Sequence, residues 1–191
     1  MKERKKLSFE EIEARQAAAM KETYDWIQCL ISALILCILL FVFCFRVIDV
    51  KGTSMNPTLQ NQDKMLVSAL FYKPKAGDVV VFKKDEYDPD KALVKRIIAT
   101  EGQVINIDFD KGIVYVDGVA IEEDYIAEPT RTKIDFIGPR TVPEGCVFVM
   151  GDNRNMSSDS RREEIGMVDA RLIIGKVYCV IFPLDSFGLV K

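Results

Sequence analysis

The residue types with most chemical potential in this 191-residue chain are one serine and one lysine. Ser54 sits in Gly52-Thr53-Ser54-Met55-Asn56-Pro57-Thr58-Leu59, where Gly and Pro bracket the hydroxyl in a tight stretch of backbone. A cluster of this composition after a strand is ordinarily a turn and nothing more. To be a nucleophile, a serine hydroxyl needs a base beside it. The chain contains no histidine, so neither a Ser-His-Asp triad nor a Cys-His dyad can be assembled within it. The remaining base for a reactive serine is a lysine made neutral by burial. The same absence argues against a His-rich zinc site.

Lys95 lies in Leu93-Val94-Lys95-Arg96-Ile97-Ile98. Strand alternation puts Leu93, Lys95 and Ile97 on one face and Val94, Arg96 and Ile98 on the other. Burial beside two large aliphatic side chains disfavours the ammonium and lowers its pKa, at a cost of about 3–4 kcal/mol. A fold tolerates that most readily where a neutral amine has work to do. The plainer reading is a surface lysine next to Arg96 on a strand edge. A third stretch, Gly151-Asp152-Asn153-Arg154-Asn155-Met156-Ser157-Ser158-Asp159-Ser160-Arg161, follows the apolar run Val147 to Met150. It reads either as a solvated loop or as a support shell, with a Ser hydroxyl aimed at an amine and an Asp-Arg pair holding the loop.

These stretches need elements to hold them. Ile27 to Phe45 is nineteen residues without a charge, long enough to cross a bilayer core as a helix, with Tyr24 and Trp26 at one edge. A cleaved signal peptide would have a shorter apolar core ending in small residues. This block ends Phe43-Cys44-Phe45-Arg46 and reads as a retained anchor. Lys and Arg flank it on both sides, so local charge does not decide its orientation. The more distant Lys2, Arg4, Lys5 and Lys6 favour a cytoplasmic N-terminus. Ser8-Phe9-Glu10-Glu11 has the pattern of a helix-capping box and starts a helix that leads toward the span.

After Arg46 come short β-branched runs broken by Gly, Pro and Asp: 47–50, 64–68, 78–82, 93–98, 104–109, 113–116, 141–142, 147–150 and 173–182. Asp117-Gly118 is a hairpin signal. The fold class is mainly β, an N-terminal transmembrane helix followed by an antiparallel sandwich or coiled barrel. The expected divisions are residues 1–26, 27–45 and 46–191, the last large enough to bury a core. Net charge is −3 with both signs dispersed and no basic stripe, which argues against a nucleic-acid partner. Cys29, Cys37 and Cys44 read as small hydrophobes inside the apolar block. Cys146 and Cys179 lack C-x-x-C spacing, and a disulfide between them stays open for an extracytoplasmic domain.

Taken together, the stretches resemble the bacterial type I signal peptidases, in their short Gram-positive form. Four boxes stand in the family's order: Ser54-Met55-Asn56-Pro57-Thr58-Leu59, Gly77-Asp78-Val79-Val80-Val81-Phe82, Val94-Lys95-Arg96-Ile97-Ile98, and Gly151-Asp152-Asn153-Arg154 with Ser157, Asp159, Ser160 and Arg161. The resemblance implies that Ser54 is the nucleophile and Lys95 the general base. It implies that Ser157 orients the Lys95 amine, that Asp159 and Arg161 pair, and that Asp152 lies in the same shell. The Ser54 N–H would be one oxyanion donor. Gly52 stands where some members have a second donor, a serine hydroxyl, and Ala99, Glu101 and Gln103 replace the family's usual Gly, Pro and Asp.

The implied enzyme is a membrane-anchored serine endopeptidase that needs no metal or cofactor. It would remove signal peptides from exported preproteins after small residues at −1 and −3, with Val50, Met55 and Val94 lining shallow apolar pockets. Its partners would be preproteins and the lipid bilayer, and its location the cell membrane, single-pass, with the catalytic domain outside the cytoplasm. Two other readings remain open on the residues alone. One is a different Ser-Lys peptidase of the self-cleaving repressor type. The other is an anchored, non-catalytic β module that binds an extended peptide.

Overall fold

A computed structural model describes residues 9–84, 86–89 and 91–190. The chain divides after Phe43 into two compact units. The first is carried by one helix, α1 (Phe9–Cys44), whose 36 residues span about 54 Å at 1.5 Å per residue. Glu10 and Glu11 sit in its first turn, where negative charge complements the helix dipole. Ser8, the expected cap, lies outside the described residues. The lead-in and the apolar block form a single uninterrupted helix. From Ile27 onward the helix carries no charge, with Gln28 and Ser32 as its polar residues, and its large apolar side chains are exposed. Among the described residues it is one helix long and apolar enough to cross a membrane.

The second unit is built of antiparallel strands: β1 (Arg46–Asp49), β2 (Lys64–Ser68), β3 (Val79–Lys83), β4 (Ala92–Thr100), β5 (Val104–Asp108), β6 (Ile113–Val116), β7 (Val119–Ala120), β8 (Arg140–Thr141), β9 (Cys146–Met150), β10 (Val168–Asp169), β11 (Ile173–Phe182) and β12 (Gly188–Leu189). The larger sheet runs β1-β2-β11-β3-β4-β9-β10, with β12 also paired to β11. The smaller runs β7-β6-β5-β8. Asp117 and Gly118 both adopt positive φ, 52° and 79°, which a two-residue turn between twisted strands requires.

Strands of four or more residues follow the β-branched runs of the sequence closely. β7, β10 and β12 have two residues each, too few for any periodicity to register. β4 departs from alternation, as β3 and β9 do: Val94 through Ala99 are buried on both faces. Its Val94 packs in one apolar cluster with Val50, Met55 and Leu59, while Ile97 packs in another with Val80 and Phe82. Cys146 lies in β9 and Cys179 in β11, with β3 and β4 between them. Three strand spacings amount to about 14 Å, well beyond disulfide reach, and both thiols are free.

Candidate active site

Ser54 follows β1 in a compact turn. The Asn56 N–H donates to the Thr53 carbonyl at 3.1 Å, and the Leu59 N–H to the Met55 carbonyl at 2.9 Å. Met55 and Leu59 are buried and pin this turn into the core, which leaves the partly exposed Ser54 at its surface. Lys95 is carried on β4, 41 residues later, and its Nζ lies 2.7 Å from Ser54 Oγ. The amine also donates to the Val94 carbonyl at 2.9 Å. Only 2% of Lys95 is exposed. Burial pushes its pKa down to about 8, against the opposing pull of Asp159 and Asp152 and with a further push down from Arg161. A large fraction of the amine is thus neutral in mildly alkaline water. A neutral amine at this distance can accept the serine proton.

The stretch after β9 closes over the pair. Gly151 has no side chain because there is no room for one: a Cβ there would overlap Ser157 Oγ and the Ser54 carbonyl oxygen. The Asn153 N–H donates to that same Ser54 carbonyl at 3.0 Å, and its side-chain amide to the Thr53 carbonyl at 3.1 Å. The loop thereby grips the Ser54 turn from its carbonyl side. The Thr53–Ser54 peptide is held through its oxygen, and the Ser54 N–H belongs to that same peptide unit.

Asp159 and Arg161 form a fully buried ion pair, Nε to Oδ1 at 2.8 Å and Nη2 to Oδ2 at 2.9 Å. Burial pushes the Asp159 carboxyl up. Hydrogen bonds from Arg161 and the Gly151 N–H outweigh it and hold the group below the usual carboxylate range. Arg161 also donates to the Thr132 and Arg154 carbonyls, tying the loop to the segment before β8. Ser157 is buried beside them, and among the described residues its Oγ has no partner at full hydrogen-bond geometry. It makes only a minor contribution to the lowering of Asp159. The Lys95 amine points instead at Ser54 Oγ and the Val94 carbonyl. The expected Ser157–Lys95 hydrogen bond is therefore not made in this geometry.

Asp152 faces a different partner from any expected of it. Its carboxylate takes a two-pronged contact from Arg96, Nε to Oδ1 at 2.9 Å and Nη2 to Oδ2 at 2.7 Å, with both side chains buried. It also accepts the Thr58 hydroxyl at 2.5 Å. Arg96, Thr58 and Asn153 thus belong to the site, although sequence reasoning passed over them. The signal available for Arg96 was a charge embedded in the apolar run Val94 to Ala99 opposite a loop rich in aspartate. Val50, Met55 and Val94 are buried together in the cluster behind the serine turn.

The family described as "Signal peptidase, peptidase S26" matches residues 23–182, which include every residue of this site. Probable signal peptidase I-1 of Synechocystis sp. is 38% identical over 168 residues, covering 83% of this chain and 82% of that protein. Signal peptidase I of Bacillus licheniformis is 35% identical over 178 residues, covering 85% and 90%. A crystal structure of a signal peptidase I from Enterococcus faecalis shares 29% identity, with a TM-score of 0.45, over 55% of this chain and 97% of that one.

Proposed function

The chain belongs to the signal peptidases of the peptidase S26 family and is a serine endopeptidase, and from that premise we propose that it cleaves signal peptides from preproteins with a Ser54–Lys95 dyad. The observation that carries the dyad is the 2.7 Å separation of Ser54 Oγ from an amine whose burial brings its pKa to about 8. Neutral Lys95 takes the Ser54 proton as Oγ attacks the scissile carbonyl. The tetrahedral oxyanion is met by the Ser54 N–H, which donates to no protein acceptor among the described residues. The Lys95 ammonium returns its proton to the leaving amine. Water, activated by the same amine, then releases the acyl group.

Ser157 completes the amine's environment. Its unpartnered hydroxyl supports an orienting role once Lys95 changes protonation state during turnover. Asp159, Arg161 and Asp152 hold the loop that carries it. Substrate adds as an extended strand. Among the described residues β1 pairs only with β2, and β4 pairs with β9 only from Arg96 onward, so Ala92 to Lys95 present an unpaired edge beside the base. Val50, Met55 and Val94, buried behind the serine turn, form the apolar floor beneath that groove, and small residues are expected at −1 and −3. The apolar part of α1 anchors the enzyme in the cell membrane, single-pass, with its N-terminus cytoplasmic and residues 46–191 on the opposite side. The preprotein's own apolar segment is held in the same bilayer.

The test is cleavage of a preprotein in detergent by wild type and by Ser54→Ala. The reading requires loss of cleavage in Ser54→Ala; equal rates remove Ser54 from the chemistry. Lys95→Arg keeps the charge but supplies no neutral amine. Activity retained in that variant removes the general-base role.

A further inference from the structure

The segment between β7 and β8 reaches the catalytic strand through one aromatic ring. Tyr125 lies with its ring centroid 4.0 Å from the Arg96 guanidinium carbon and 5.8 Å from that of Arg154. Its hydroxyl donates to Glu123 Oε1 at 3.1 Å. Glu123 in turn pairs with Arg154, whose side chain is fully buried. Arg154 also donates to the Gly151 carbonyl at 3.1 Å and to the Thr130 hydroxyl oxygen at 3.0 Å. The ring is thus tied through Glu123 to Arg154, which also holds Thr130 of the same segment.

The edges of the Arg96 guanidinium are taken by Asp152 and by the Gly77 carbonyl, which accepts at 2.8 Å. The Tyr125 ring lies over a flat face of the guanidinium. A desolvated cation against an aromatic face is attracted by the ring quadrupole. An aromatic lid also keeps water off the Arg96–Asp152 pair, which would otherwise be screened and loosened. Asp152 holds Thr58, and Thr58 lies four residues past Ser54 in the nucleophile turn. Arg96 itself is the residue after Lys95.

We propose that Tyr125, held by Glu123, is a positioning residue for the reaction: its ring face clamps Arg96, and the Arg96–Asp152–Thr58 relay sets Ser54 against Lys95. Neither Tyr125 nor Glu123 touches the reacting atoms. The inference rests on the Ser54–Lys95 reading. It differs from simple packing in requiring an aromatic face rather than apolar volume.

The experiment is preprotein cleavage by the full-length enzyme in detergent, with kcat and KM separated and a thermal melt for every variant. Tyr125→Leu keeps an apolar side chain, though a smaller one, and removes the face. It is expected to lower kcat about tenfold with KM within twofold of wild type, whereas Tyr125→Phe keeps the face, loses only the hydroxyl tether to Glu123, and is expected to fall about threefold in kcat, clearly less than the Leu variant. In a Thr58→Val background the relay is already cut, so adding Tyr125→Leu should cost less than a further twofold. Wild-type kcat in Tyr125→Leu overturns the proposal. So does a Phe variant as slow as the Leu variant, or full additivity with Thr58→Val. If Tyr125→Leu does not fold, Glu123→Gln is decisive: it slackens the tether and is expected to lower kcat several-fold at unchanged KM, and wild-type kcat there overturns the clamp. Ser54→Ala run alongside separates the two levels. Cleavage by Ser54→Ala ends the dyad reading itself, while an inactive Ser54→Ala with a fully active Tyr125→Leu ends only the clamp.

Discussion

An amine with a pKa of about 8 in the fold and 10.5 when unfolded binds more protons in the unfolded chain between those two values. Stability therefore rises with pH across that window, and below about pH 8 the full penalty applies. That penalty is about 3 kcal/mol at 1.36 kcal/mol per pH unit. Lys95→Met removes it along with the base. We expect Lys95→Met to be inactive yet more stable than wild type by about 1–3 kcal/mol at pH 7. The gap should close as pH approaches 10.5, as urea titrations at several pH values will show. The same titration governs rate. kcat/KM should rise with pH and be half-maximal near about 8; a profile flat from pH 6 to 10 rejects the neutral amine. Gly151 gives a steric counterpart. In Gly151→Ala the new methyl collides with Ser157 and with the Ser54 backbone. Loss of about 1–3 kcal/mol of stability and at least a tenfold drop in kcat are expected, read by denaturation and single-turnover assay.

At the level of elements, three buried arginine–carboxylate pairs bind β4, the loop after β9 and the segment before β8: Arg96–Asp152, Arg154–Glu123 and Arg161–Asp159. Such pairs add little net stability over apolar residues, but removing one partner strands a charge in the core. Asp152→Ala should therefore cost about 3–5 kcal/mol. Arg96→Met combined with Asp152→Leu should recover much of that loss in denaturant melts while leaving the enzyme slow. A double variant as unstable as Asp152→Ala would show that the cost lies in the loop rather than in the charge. The presence of this loop was legible from its run of Asp, Asn, Ser and Arg after an apolar strand. Its pairings were not. Asp152 finds Arg96 across 56 residues and Thr58 across 94, and no local periodicity carries that information.

On the scale of the whole molecule, the chain after Phe43 is a compact unit with its own clusters of buried side chains. A fragment covering residues 44–191 is expected to unfold cooperatively within a few degrees of the full chain's transition in detergent, followed by circular dichroism. It should also cleave a short soluble peptide at a comparable kcat. A fragment without a cooperative transition would show that α1 contributes to the stability of the β unit. The long helix itself followed directly from nineteen uncharged residues, since a helix satisfies its own backbone and needs no distant partner.

Residue types and their order alone determined the helix and the longer strands and left lysine as the candidate base, because each depends on local pattern or on the absence of histidine from the whole chain. Only the tertiary structure decided that the Lys95 amine turns to Ser54 rather than to Ser157, and that Arg96 is a buried partner of Asp152 rather than a surface charge. Those outcomes depend on which side chains meet across strands far apart in sequence. They were settled by competition for space and hydrogen-bond partners in one crowded volume, where β4 is buried on both faces.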